Sequence, residues 1–290
     1  RIKALRVISR TSAMQYKGTT KSLPEVAREL NVEGVLEGSA HLVGERVRVS
    51  VQLIAARSDE TLWSDRYDRD LVDVLSLQSE VAAKVAGEVA VQLTPAEAGQ
   101  LARRQVVNAE AHLEILKARH SMFAATKDAL ELAVRHARRA LELAPDYAAA
   151  WSALADCQLV RVVRGMAPAA EAGAEAWSAA TRARELDPAS ADALSSLGFI
   201  AANTGDVIGG LQMLTTALEL NPGLAFTHVM RSIALAALGR TEEAVAGARR
   251  SIELDPLSSI IRTGLGDALY YAREYQKSVF HYRMAIELDP

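Results

Sequence analysis

The chain has 290 residues, half of them hydrophobic and 24% charged, with a formal net charge of −3. That length allows about two domains with real cores, and the mildly acidic balance argues against the basic stripe that a nucleic-acid binder needs to neutralise phosphates. A single cysteine, Cys157, excludes internal disulfides and a thiolate metal cage and leaves the redox compartment open, and no apolar run approaches the ~18–20 residues of a membrane-spanning helix.

The chain opens at Arg1 rather than Met, so the expectation is an internal fragment, with room for targeting signals outside it. Leu5–Ile8 is a short strand candidate, and the polar stretch from Ser9 to Lys21 reads as a loop. Ser22-Leu23-Pro24-Glu25 has the form of a capping box with proline in the first turn, and opens a helix through Val26, Ala27 and Leu30. From Gly34 the period changes to two. Val35 to Val43 is one strand, Gly44-Glu45 a turn, and Arg46 to Ala55 its partner, with Val47, Val49, Val51, Leu53 and Ala55 on one face. Arg57 to Glu60 is a second turn, and Thr61 to Arg69 a third strand carrying Trp63 and Tyr67. Asp70 and Asp73 flank the start of a helix running to about Leu93, and Thr94-Pro95-Ala96-Glu97 starts a short helix to about Arg104.

Prolines 145, 188, 222, 256 and 290 then mark a phase. Four of them close Leu186-Asp187-Pro188, Leu220-Asn221-Pro222, Leu254-Asp255-Pro256 and Leu288-Asp289-Pro290. Each proline ends a helix that it cannot continue, because it lacks an N–H and clashes with the preceding turn. The last three intervals are equal, and a fixed period of this size marks a stacked helix-pair repeat. The interval between Pro145 and Pro188 is longer, which places an insertion near residues 161–173, expected to bulge from the turn between the two helices of that unit. Leu197-Gly198 and Leu265-Gly266 are close-packing points, and the fourth unit places Arg231-Ser232 there instead. The expectation is about five units, Pro290 being a cut edge.

Two resemblances follow from these residues. The proline-phased units resemble tetratricopeptide repeats. Leu5 to Ser12 with Tyr16-Lys17-Gly18, then Leu36-Glu37-Gly38-Ser39, Val51-Gln52-Leu53-Ile54 and Leu62 to Arg69, are similar to a bacterial regulatory family. Its domain resembles the amino-terminal domain of TolB, usually precedes tetratricopeptide repeats, and often sits behind a serine/threonine kinase, winged-helix or nucleotide cyclase domain. The resemblance implies a superhelix whose inner wall is made of the first helices of the pairs. Relative to that family the chain lacks an opening strand and helix.

The fold class expected is thus an α+β amino-terminal domain over residues 1–106, an antiparallel β-meander with flanking helices, followed by an all-α tetratricopeptide-repeat solenoid over 107–290. No catalytic constellation is present. Asp65, Asp68, Asp70 and Asp73 lack the glycine and terminal Glu of a calcium loop. The six histidines show no ligand spacing, and Gly264-Leu265-Gly266 lacks the third glycine of a dinucleotide loop. No cofactor or metal is therefore expected. The groove is the functional candidate, with Phe199, Asn203, Phe226, Val229, Ile233, Asp267, Tyr270 and Tyr271 on its wall and Asp192, Ser195, Ala237 and Thr263 beside them. The reading is a non-catalytic regulatory module whose groove binds a partner protein or peptide, coupled to an upstream signalling or transcription domain. The alternative is a small-ligand or cell-envelope-component site in the α/β domain, motivated by the Thr11–Ser22 loop, with the repeats serving oligomerisation such as a homodimer. The compartment is open: cytoplasmic, or extracytoplasmic if a membrane span precedes.

Overall fold

The computed structural model describes residues 5–44, 46–70, 73–89, 108–122 and 126–289. The chain divides into two units, Arg1–Arg6 with Ala13–Ala109, and Val7–Ser12 with Glu110–Pro290.

The short α1 (Arg10–Met14) begins in the second unit, and α2 (Leu23–Leu30) follows in the first. The Glu25 carboxylate accepts from both the backbone N–H and the hydroxyl of Ser22 at 2.8 Å, which holds the first turn of α2. The helix stops at Asn31, whose φ of 51° is left-handed, and it buries Val26, Ala27 and Leu30. Strands β1 (Gly34–Val43), β2 (Arg46–Ala55) and β3 (Glu60–Asp70) form one antiparallel sheet in the order β1-β2-β3. The alternation along β2 decides its faces. Val47, Val51 and Leu53 are buried, whereas Arg46 and Arg48 are exposed. Helix α3 (Val74–Glu88) covers part of that face, where Val51, Tyr67 and Leu77 form a core with Val49, Trp63 and Val81 against it. Leu36 and Leu42 of the edge strand β1 stay about half exposed.

The opening residues differ from expectation. Residues 5–9 form no strand, and part of the expected loop is the helix α1. The Ser9 N–H donates to the carbonyl of Leu254 at 2.8 Å, so this backbone finds its partner within the second unit instead of on a sheet. The Thr94–Arg104 helix and Glu45 of the first turn lie outside the described residues.

The second unit contains five helix pairs among the described residues: α4 (Ala109–Met122) with α5 (Lys127–Leu143), α6 (Ala148–Val163) with α7 (Ala169–Leu186), α8 (Ala191–Asn203) with α9 (Val207–Leu220), α10 (Ala225–Ala237) with α11 (Thr241–Leu254), and α12 (Ser259–Tyr271) with α13 (Tyr275–Leu288). Every second helix ends in the same way. Residues Ala144, Asp187, Asn221, Asp255 and Asp289 leave the helical region at φ between −136° and −149°, and each N–H still bonds the carbonyl four residues back. That extended conformation is what a following proline enforces. The turn inside a pair recurs too, with a left-handed residue at Gly165, Gly205, Gly239 and Arg273. The fifth pair thus places an arginine where the second, third and fourth have glycine.

Small residues set the approach of paired helices. A Cβ on Gly198 would lie 2.9 Å from the Gly210 carbonyl, and one on Gly210 would lie 2.7 Å from the Gly198 carbonyl. In the fourth pair the Ser232 hydroxyl donates to the Ala244 carbonyl, and in the fifth Ser278 donates to the Gly266 carbonyl at 2.8 Å. A buried serine is thus tolerated at a glycine position because the opposing backbone accepts its proton. The extra residues of the second pair do not form one bulge: α6 has 16 residues and α7 has 18, against 13 and 14 in the third pair. The alanine-rich run Ala169–Ala176 after residues 164–168 favours lengthening α7 over extending the loop.

Candidate interaction surface on the repeat array

First helices of successive pairs touch each other: α6 meets α8, α8 meets α10 and α10 meets α12. Their exposed residues therefore share one wall, and it has two chemically different parts.

The aromatic part lies on α8, α10 and α12. Phe199 and Phe226 come from neighbouring pairs with ring centroids 6.2 Å apart. Phe199 packs on the cluster of Leu214, Val229, Met230 and Leu254, while Phe226 and Ile233 are more than a third exposed. Tyr270 and Tyr271 are 54% and 57% exposed, and their rings meet edge-on at 5.7 Å. Tyr275, at the start of α13, joins them with its ring 5.6 Å from that of Tyr270. Asn203 turns its amide onto the Phe199 carbonyl at 2.8 Å, and Asp267 accepts from the Tyr282 hydroxyl at 2.7 Å. That bond, after burial itself, helps push the Tyr282 phenol up to about 12.

Not every expected wall residue is on the wall. Val229 is wholly buried, and its methyl fills the space above Gly264, where an added Cβ would lie 2.4 Å away. It holds α10 against α12, and a partner could not reach it. Ser195 pairs with the buried Thr227 at 2.7 Å, and Thr263 bonds its own helix at the Ser259 carbonyl at 3.0 Å.

Of the charged part, Asp192 was expected from the sequence, whereas Arg119 and Asp156 were not. Arg119 of α4 reaches Asp192 of α8 at 3.7 Å, and Asp156 of α6 accepts from the Ser196 hydroxyl at 3.0 Å. Asp156 keeps some residue surface, yet desolvation dominates at its carboxyl. Burial first, and the charge of Asp192 second, raise it from 3.8 to about 7, against the pull of Arg119 and the Ser196 bond. The available signal was one acid inside the apolar run Ala153–Val160, where a charged residue needs partners on other helices.

The other sequence candidates have local partners. Asp68 lies between Arg46 at 2.8 Å and Arg48 at 3.1 Å, and Asp70 pairs with Arg46 at 3.3 Å. Cys157 is fully buried, and burial pushes its thiol up to about 12. Polar groups of the Thr11–Ser22 stretch have partners on α2, with Tyr16 donating to Glu29 at 2.5 Å and Lys21 pairing with Glu29 at 2.7 Å. Among the described residues no cluster of three His, Cys, Asp or Glu could hold a metal ion, and no helix is long and apolar enough to cross a membrane.

No family model matches the chain. Over 154 residues it is 34% identical to a Rhizobium meliloti protein named “Putative adenylate cyclase 3”, a match covering 53% of this chain and 26% of that protein. Over 104 residues it is 31% identical to the small glutamine-rich tetratricopeptide repeat-containing protein 2 of Mycosarcoma maydis, covering 36% of this chain and 30% of that one. The chain thus matches under a third of the length of these curated relatives. Among solved structures, the tetratricopeptide protein TTC0263 of Thermus thermophilus is similar at a TM-score of 0.49 and 20% identity, over 61% of this chain and 92% of that one.

Proposed function

We propose that the chain is a non-catalytic regulatory module whose repeat wall binds a partner protein or peptide. The observation that carries this reading is the group of Tyr270, Tyr271 and Tyr275, each more than half exposed. Tyrosine gives large contact area at low entropy cost and concentrates at the centres of protein interfaces. Phe226 and Ile233 extend the apolar strip, and Arg119 with Asp192 gives it a charged end. A peptide with aromatic or aliphatic anchors spaced along an extended backbone suits such a strip.

We further infer that the first unit is the TolB-like element of a bacterial signalling protein, with the enzymatic or transcriptional output on another domain. The motifs from Leu36 to Arg69 and the partial likeness to a cyclase-named protein support this reading. The small-ligand alternative has less behind it, since Tyr16 and Lys21 of its proposed loop are already bonded to Glu29 of α2.

Peptides selected from a display library on the full chain test the wall. Tyr270→Ala with Tyr271→Ala should weaken the selected peptides at least tenfold. Ile208→Ala should leave them unchanged, because Ile208 is 63% exposed but belongs to a second helix. Equal effects of the two changes would remove the assignment.

A further inference from the structure

The second unit holds a segment that is remote in sequence from its repeats. Ser12 is completely buried, although it belongs to a short polar helix at the start of the chain. Its hydroxyl donates to Asp255 Oδ1 at 2.6 Å and accepts from the Leu257 N–H at 2.9 Å. The Ser9 N–H donates to the Leu254 carbonyl at 2.8 Å, and the Ser9 hydroxyl accepts from the Ser12 N–H at 3.2 Å, closing the turn that presents Ser12.

The repeats supply their own control. At the junction after α7, Asp187 Oδ1 accepts directly from the N–H two residues on, Ala189, at 3.1 Å. At the junction after α9, Asn221 Oδ1 does the same for Gly223 at 3.2 Å. This is the Asx turn that an Asp or Asn before a short loop forms with its own backbone. After α11 the corresponding pair is Asp255 and Leu257, and the Ser12 hydroxyl stands between them, bonded to both. Burial agrees: Asp187 is exposed and Asn221 half-buried, whereas Asp255 is 6% exposed. The same segment also places the Arg10 guanidinium 3.5 Å from His120 of α4, so it touches the first pair as well as the fourth-to-fifth junction.

We propose that the Leu254–Leu257 junction is a receptor site for a serine-bearing turn, and that Val7–Ser12 is its resident occupant, a clip in cis. The chemistry selects the occupant. The site offers one carboxylate acceptor, one amide donor and one carbonyl acceptor, which match a hydroxyl that both donates and accepts plus one backbone N–H. Alanine at the serine position would leave the buried carboxylate without that donor, and a carboxylate there would oppose Asp255. This site is separate from the tyrosine group, and it stands whether or not that wall binds a partner.

Hydrogen exchange on the full chain tests the clip, using the Ser12→Ala variant. Exchange at the Leu257 and Ser9 amides should accelerate at least tenfold, while Ala189 and Gly223, closed within their own junctions, keep their rates. Unchanged exchange at Leu257 would overturn the proposal. The second arm uses a fluorescent peptide of residues 5–16. It should bind Ser12→Glu, where the cis segment is expelled, and not the wild type, where that segment acts at high effective concentration. The same peptide carrying Ser12→Ala should bind neither. Equal binding to wild type and variant would refute occupancy, and a far-ultraviolet circular-dichroism spectrum matching wild type with a cooperative melt confirms that each variant is folded.

Discussion

The close approach of α8 and α9 makes a prediction with a built-in control. A Cβ added at Gly198 would sit 2.8 Å from Leu214 Cγ, 2.9 Å from the Gly210 carbonyl and 3.0 Å from the Leu214 N–H nitrogen. Two of these atoms are backbone, so no rotamer change relieves them, and the helices must part by about 0.5 Å to regain ordinary contact. Overpacking of this kind costs about 1–3 kcal/mol, against a gain of about 1 kcal/mol from replacing glycine with alanine in a helix. Gly198→Ala should therefore destabilise the chain by about 1 kcal/mol. Gly173, within α7, has nothing within 4 Å of its added Cβ, so Gly173→Ala keeps only the favourable part, about 0.5–1 kcal/mol. The urea midpoint at constant slope reads both changes. Stabilisation by Gly198→Ala, or destabilisation by Gly173→Ala, would refute the argument that helix contact decides the sign.

Other expectations follow from single residues. Asp156 holds its proton up to about pH 7 in the folded chain, whereas the unfolded carboxyl loses it near 3.8, so its contribution to stability falls as pH rises through that window and is constant above it. Asp156→Asn should flatten that part of the melting-temperature profile and gain about 1–2 kcal/mol at pH 8, allowing for partial exposure; a profile with unchanged slope would count against the raised value. Arg273 sits at φ 62° where three other pairs have glycine, so Arg273→Gly should stabilise by about 1 kcal/mol in the same urea assay. A neutral or destabilising result there would mean that the arginine side chain makes up for its backbone. The buried Cys157 thiol should resist iodoacetamide at pH 8 until denaturant is added, a point that mass spectrometry checks directly.

Local chemistry was legible in the sequence wherever one residue dictates one geometry. The prolines marked every second-helix end, and the alternation along β2 marked Val47, Val51 and Leu53 as buried, though not Ile54, which is buried on the other face beside a register shift against β3. What depends on distant partners was not legible. Leu5–Ile8 has a strand-like composition, but Ser9 bonds the carbonyl of Leu254, a partner that no local pattern announces. Val229 and Ile233 are one helical turn apart on α10; one is wholly buried against Gly264 and the other is 40% exposed. Periodicity alone could not separate them, because the difference comes from the next pair. Asp156 was missed for the same reason, its partners being on α4 and α8.

The unequal length of the second pair bears on how the array assembles. Helix α7 has four more residues than α9, an excess of about 6 Å at 1.5 Å per residue. Repeats with nearly identical end tripeptides invite mispairing during folding, in which a unit docks one place out of line on its neighbour. A long pair cannot take the seat of a short one without leaving part of its apolar face uncovered. The second pair therefore works as a key for its own place in the stack, while the three pairs after it, each of 13 and 14 residues, share one length.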